Sequence, residues 1–243
     1  MPGSLIYEGP SLLDGAPIFV AAVWSSSNRK TGSMVQTYVM RADLDPLEAS
    51  KLGEDYSICG DCKHRGPPTL DPERKQAEAR SCYVQLYQGP LVVWREYQAG
   101  KYPRMDSMIA RADIGRGQRV RLGTYGDPAV VPAVVWEQLI KFSKGWTGYT
   151  HQIALPQAQA KAWMTMVSVD SLSEAKAAWR SHQRTFRVVR DTSELVKGQE
   201  ILCPASAEAG KRVQCAQCML CGGSHQAARS IAIVAHGAGR NFV

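Results

Sequence analysis

Nowhere in its 243 residues does the chain carry an apolar run approaching the roughly eighteen needed to cross a bilayer. The longest clean stretches are short and strand-like, such as residues 231–235. No membrane span is expected. Met1 is followed by no basic, apolar, small-residue pattern of the secretory kind. The cysteines, seven in number, cannot all pair within the chain. These absences point to a reduced, cytoplasmic protein, in which cysteines serve metal or redox chemistry more than disulfides. The polar loop at 25–33 contains Asn28, Lys30 and Gly32 but lacks the spacing of a Walker motif, so a solvated hairpin tip is expected. The basic segments 111–121 and 180–190 lack the interleaved aromatics of a single-strand-binding platform and are assigned to the surface.

What is present begins with charge and cysteine. The formal net charge is +7 and the pI near 9.1. Both are compatible with nucleic acid, with an anionic small molecule or with ordinary solubility, and do not choose among them. The cysteines fall into two groups: Cys59, Cys62 and Cys82, then Cys203, Cys215, Cys218 and Cys221. Four thiolates can close the shell of one zinc or one iron–sulfur cluster, while three leave a position open for water, substrate or cofactor. Spacing does not separate zinc from iron–sulfur. Cys59 and Cys62 also form a C-x-x-C unit that could act as a redox pair, against which the neighbouring Asp61 argues. His64 and His225 lie close enough in sequence to substitute as ligands, although solvated loop positions suit them better.

With 44% hydrophobic residues the chain can bury the core of a single α/β domain spanning 1–243. Residues 17–24 and 34–41 read as an N-terminal hairpin extension within 1–42, and 199–229 as a cysteine-rich metal-binding segment. A short helix is expected over 43–53, a surface loop over 66–80, and a bend at Gly89–Pro90. From residue 119 short β-branched runs alternate with helix-compatible stretches: strands near 119–123, 146–151, 166–169, 185–190, 200–203 and 230–236. Ser171 and Glu174 have the spacing of a capping box for a helix over 172–181. This alternation predicts parallel strands with helices outside, a full or partial (β/α) barrel. Ligands of such folds gather at the C-terminal strand ends. Asp127, Tyr149, His151, Asp170, Arg190 and Cys203 fall there and form the candidate pocket.

Each of these has a plain reading beside the functional one. Asp127 before Pro128 fits a helix cap, His151 a core histidine bonded to backbone, and Asp170 a turn or N-cap. Arg187 and Arg190 flank Val188 and Val189, so that one arginine is expected inward and the other toward solvent or a helix. Trp136, Trp146, Trp163 and Trp179 are explained by packing.

The signatures at 9–15, 59–62, 121–128, 145–152, 203–206 and 215–221 resemble an uncharacterised family met in phage and bacterial genomes, whose label carries no function. More distantly, the order of features is similar to that of radical S-adenosylmethionine enzymes. That resemblance implies a [4Fe–4S] cluster on Cys59, Cys62 and Cys82 and a cofactor-binding turn at Gly126, Asp127 and Pro128, with Asp127 meeting the cofactor's amino group. It also implies a pocket shaped by Tyr149, His151, Asp170 and Arg190, the last three as catalytic candidates, and an auxiliary centre on the four late cysteines. The substrate is unspecified. The rival expectation is a zinc-stabilised protein that binds nucleic acid or a partner without catalysis.

Overall fold

The fold is taken from a computed structural model, which describes residues 2–24, 30–159, 161–210, 213–237 and 240. Asn28, at the tip of the first loop, lies outside the described residues. The strands are β1 (Gly3–Pro10), β2 (Pro17–Val23), β3 (Val35–Arg41), β4 (Arg119–Tyr125), β5 (Gly145–Thr150), β6 (Met166–Val169), β7 (Thr185–Val189), β8 (Glu200–Leu202) and β9 (Ser230–Val234). They form one nine-stranded sheet in the order β1-β2-β3-β4-β5-β6-β7-β9-β8. β1, β2 and β3 pair antiparallel. Every later pairing, from β3·β4 to β8·β9, is parallel.

The α/β alternation predicted from residue 119 onward is present, but the sheet is open. β1 and β8 are its edges, so a full barrel is overturned. Two further differences have a tertiary origin. The hairpin of β2 and β3 is continuous with the main sheet, because β3 pairs with β4 with Val35 opposite Val120. The last strand, β9, enters between β7 and β8. Its apolar sequence, buried from Ser230 to Ile233, requires cover on both sides, which an edge would not provide.

The helices are α1 (Pro46–Leu52), α2 (Tyr56–Cys59), α3 (Gly89–Gln98), α4 (Met108–Gly115), α5 (Ala133–Ile140), α6 (Pro156–Gln159), α7 (Leu172–Arg180) and α8 (Cys215–Cys218). Asp45 caps α1 by accepting from the Leu47 and Glu48 N–H groups, and Gly53, at φ 78°, ends it. Gly89–Pro90 does not bend a helix; it starts α3, where the missing proline N–H costs nothing. Ser171 Oγ accepts from the Glu174 N–H as expected for α7, but the returning Glu174 carboxylate takes the Asp170 N–H, one residue before the cap. Residues 66–80 form turns and loop, with no helix.

The largest core packs β1–β4 with α3 and α5 around Phe19, Val39, Leu122, Trp136 and Leu139. Ala175 and Ala178 of α7 cover Val167 and Val169 on one face of the sheet. Met166, Ile231, Ile233, Tyr149 and Phe186 meet on the opposite face. No described helix is long and apolar enough to cross a membrane.

Candidate metal and ligand site

Along a strand, alternate side chains share a face, and one such set lines a cavity of about 640 Å³: Arg121 and Tyr125 of β4, Thr147 and Tyr149 of β5, Ser168 of β6, Phe186 and Val188 of β7, and Ile231 and Ile233 of β9. All seven cysteines also line it. None is in a disulfide.

The first cysteine group sits against the C-terminal ends of β4, β5 and β6. The Asp127 N–H donates to Ile58 O at 2.7 Å, and Gln152 Nε2 donates to Cys59 O at 2.8 Å. Gly60, at φ 54°, turns the chain between Cys59 and Cys62; a Cβ there would fall 2.3 Å from Gln152 Oε1. Arg65 clamps this turn by donating to Asp55 Oδ1, Gly60 O and Gly53 O. Cys82 is 20 positions after Cys62 in the chain, yet His64 O accepts from both the Ser81 and Cys82 N–H groups, at 3.2 and 3.1 Å. The His64 ring adds an Nδ1···Ser81 Oγ bond of 2.9 Å. The excursion is therefore a loop pinned at its neck, and its length adds little, because closure entropy grows only logarithmically. Burial pushes the Cys59 thiol well up and the Cys62 thiol to about 12. A bound cation would reverse that, releasing protons as thiolates form.

Beside this group lie two histidines and a carboxylate. His64 Nε2 is 3.2 Å from Asp170 Oδ1, and His151 Nε2 is 3.9 Å from the same oxygen. The two rings meet edge to face at 5.8 Å. Burial and the neighbouring His64 and Lys63 charges push His151 down to about 4, against the pull of Asp170 and Glu174. Although burial opposes it, the His64 hydrogen bond and the positive charges around it hold Asp170 below the usual carboxylate range.

Of the second group, Cys215, Cys218 and Cys221 lie toward the N-terminal strand ends. The Cys215 and Ala216 N–H groups donate to Lys30 O and Thr31 O, ahead of β3, and the Gly148 N–H donates to Cys221 O. Arg184, just before β7, donates to Leu220 O, Gly223 O and Arg229 O. Cys203 arrives from the end of β8, its N–H donating to Ala232 O. The Tyr149 hydroxyl is hydrogen-bonded to Cys221, and burial pushes that thiol to about 12.

Among the described residues, the group of His, Cys, Asp or Glu ligand atoms lying within 4.8 Å of one another is His64, His151 and Asp170; no three sulfurs come that close. A tetrahedral zinc with bonds of about 2.3 Å would hold its sulfurs about 3.8 Å apart, whereas a four-iron cluster, with a separate iron for each thiolate, spaces them more widely.

Of the sequence-predicted pocket, Asp127, Tyr149, His151, Asp170 and Cys203 line the cavity and Arg190 does not. The Arg190 side chain is 74% exposed beside Glu194. Arg187 is the inward arginine, and it meets a protein carboxylate, Glu200, at 2.7 Å. Asp127 serves as a cap: its carboxylate accepts from the Ala129 and His151 N–H groups. His225 stacks on Trp146 at 4.8 Å, away from a ligand role. His64 is buried rather than solvated. Arg121, assigned to the surface from sequence, lies in the cavity with its guanidinium 5.6 Å from the Tyr149 ring centre. Arg121 Nε, Tyr125 Oη and Thr147 Oγ1 are buried without a hydrogen-bond partner among the described residues. The alternation of Arg119, Arg121 and Gly123 along β4 was the available signal for Arg121; nothing local marks Tyr125 or Thr147. No family model, curated protein or solved structure matches this chain.

Proposed function

We propose that the protein is an iron–sulfur enzyme of the radical S-adenosylmethionine kind, built on a partial (β/α) barrel. In this reading Cys59, Cys62 and Cys82 hold a [4Fe–4S] cluster, and Cys203, Cys215, Cys218 and Cys221 hold a second, closed centre. The observation that carries it is the convergence of the three-thiol group, at the C-terminal strand ends, on a cavity whose wall keeps three buried polar atoms unpaired. Buried polar groups ordinarily find partners, so Arg121 Nε, Tyr125 Oη and Thr147 Oγ1 suit a polar ligand in that space. The donor chemistry fits: soft thiols, unpaired by disulfide and wider apart than one zinc requires.

When bound, the cluster and cofactor would supply one-electron reductive cleavage of a sulfonium and hence hydrogen-atom abstraction. The chain's own residues would position and shield. His64, Arg65 and Gln152 hold the three-cysteine turn in place. Asp127 fixes the turn after β4, presenting its backbone to the cavity while its carboxylate caps. Phe186, Val188, Ile231 and Ile233 exclude water from the apolar wall, and Arg121 offers a cation to a carboxylate. Arg190 has no part.

The test is iron, zinc and acid-labile sulfide content of protein purified without oxygen, with S-adenosylmethionine binding measured on the same sample. About four or eight irons with matching sulfide are expected, with cofactor binding lost in Cys59→Ala. Zinc without sulfide would overturn the reading and put a zinc-stabilised binding protein in its place, to be tested by salt-dependent affinity for nucleic acid.

A further inference from the structure

The His64, His151 and Asp170 cluster is not accounted for by the thiol chemistry. Three loops deliver it. His64 comes from the turn after Cys62, His151 from the end of β5 and Asp170 from the end of β6. Their ligand atoms lie within 4.8 Å of one another, and both His151 and Asp170 face the cavity. Neither ring nitrogen of His151 makes a hydrogen bond among the described residues, and its Nε2 stands 3.9 Å from Asp170 Oδ1, too far for one. A half-buried imidazole aimed at a buried carboxylate across such a gap leaves room for an ion between them.

The geometry points to a mononuclear site for a first-row divalent ion of the iron(II) or zinc class, held by His64 Nε2, His151 Nε2 and Asp170 Oδ1. Two imidazoles and one carboxylate are a donor set such ions accept, with the remaining positions open. Bonds of about 2.1 Å place ligand atoms about 3 Å apart on an octahedral face and about 3.4 Å apart in a tetrahedron. The His64–Asp170 separation of 3.2 Å already matches, and a small turn of the His151 ring closes the other. Outer support is in place: Ser81 Oγ lies 2.9 Å from His64 Nδ1, where it can accept the N–H that leaves Nε2 for the ion. The charges facing the site are Lys63, 3.8 Å from Asp170 Oδ2, and Glu174, which pairs with Lys63 at 3.2 Å and draws it outward. The open positions would face the cavity, presenting a metal-bound water or substrate oxygen to whatever ligand the cavity holds.

This site goes beyond the cluster reading and does not depend on it. Cobalt(II) added to the purified full-length protein reads it out, because nitrogen and oxygen ligation gives visible d–d bands without the intense thiolate-to-cobalt charge-transfer band. One such cobalt per chain is expected. Asp170→Asn and His151→Ala should weaken it at least tenfold to a hundredfold, and Cys59→Ser should leave it unchanged. Lys63→Ala, which keeps every ligand and removes a nearby positive charge, should tighten binding severalfold, so the idea stays testable if a ligand variant fails to fold. Cobalt bands only of the thiolate type, or d–d bands equal in the wild type, Asp170→Asn and Lys63→Ala proteins, would overturn the site. Loss of sulfide from the protein would leave the cobalt signal standing, so the two proposals fail separately.

Discussion

The two cysteine groups share one cavity but are held by different means. The four-cysteine segment is wired mainly through backbone: α8 to Lys30 and Thr31, Cys221 to Gly148, and residues 220–229 to the Arg184 guanidinium. It ties together stretches ahead of β3, within β5 and ahead of β7. The three-cysteine group adds side-chain braces to its backbone bonds: Arg65 on Asp55, His64 on Ser81, Gln152 on Cys59. It stands among titratable groups and unpaired polar atoms. Thiol count alone therefore does not describe how each group is held. One segment joins distant stretches of sheet; the other is braced by side chains at the strand ends.

The largest effect is expected from Cys221→Ser. If the four-cysteine centre holds the chain together, thermal and urea unfolding should show a loss of about 4 kcal/mol or more, with metal content falling in step. Cys82→Ser should cost far less stability; equal losses would erase the distinction. A similar loss, about 3–5 kcal/mol, is expected for Glu200→Ala, which leaves the buried Arg187 without its hydrogen-bonded carboxylate and only Glu194, at 3.7 Å, to face it. That change removes no thiol, so it should lower the melting temperature and leave the metal content per folded chain untouched.

Asp127 makes stability depend on pH. Burial raises its carboxyl to about 6, against the Ala129 and His151 N–H groups, while the unfolded chain keeps it near 3.8. The folded state therefore binds the proton more tightly. Its contribution is complete below about pH 4 and is lost as pH rises through 6, a change of roughly 3 kcal/mol. Urea midpoints across that range should show the slope, and Asp127→Asn should flatten it. Gly60→Ala should cost about 1–2 kcal/mol, since φ 54° penalises a side chain and Gln152 must give way. Its larger consequence would be metal loss from the first group alone. The smallest effect expected is from Ser171→Ala, about 1 kcal/mol for the lost cap of α7, with both centres intact.

Much of the fold was legible in the chain. β4 to β7 lie where β-branched runs predicted them, because strands buried on both faces read as short apolar stretches and their helices carry local caps such as Ser171. Five of the six pocket candidates line the cavity because the rule that ligands gather at strand ends needs only strand positions. Arg190 failed because it lies just past the end of β7, its side chain exposed beside Glu194, while Arg187 is buried against Glu200 on the face of β7 away from the cavity-lining Phe186 and Val188. The closeness of Cys82 to Cys62 was not visible either. It rests on His64 folding back onto Ser81, and a hydrogen bond between loop residues leaves no periodicity in the sequence.

Local propensity, periodicity and count marked out the α/β class, the positions of β2 to β9, the Ser171 cap and the division of cysteines into three and four. Only tertiary structure decided that the sheet stays open, that β9 enters between β7 and β8, that both thiol groups border one cavity, and that His64, His151 and Asp170 meet. Those outcomes depend on pairing between residues far apart in the chain, where burial and register, not nearby sequence, select the partner.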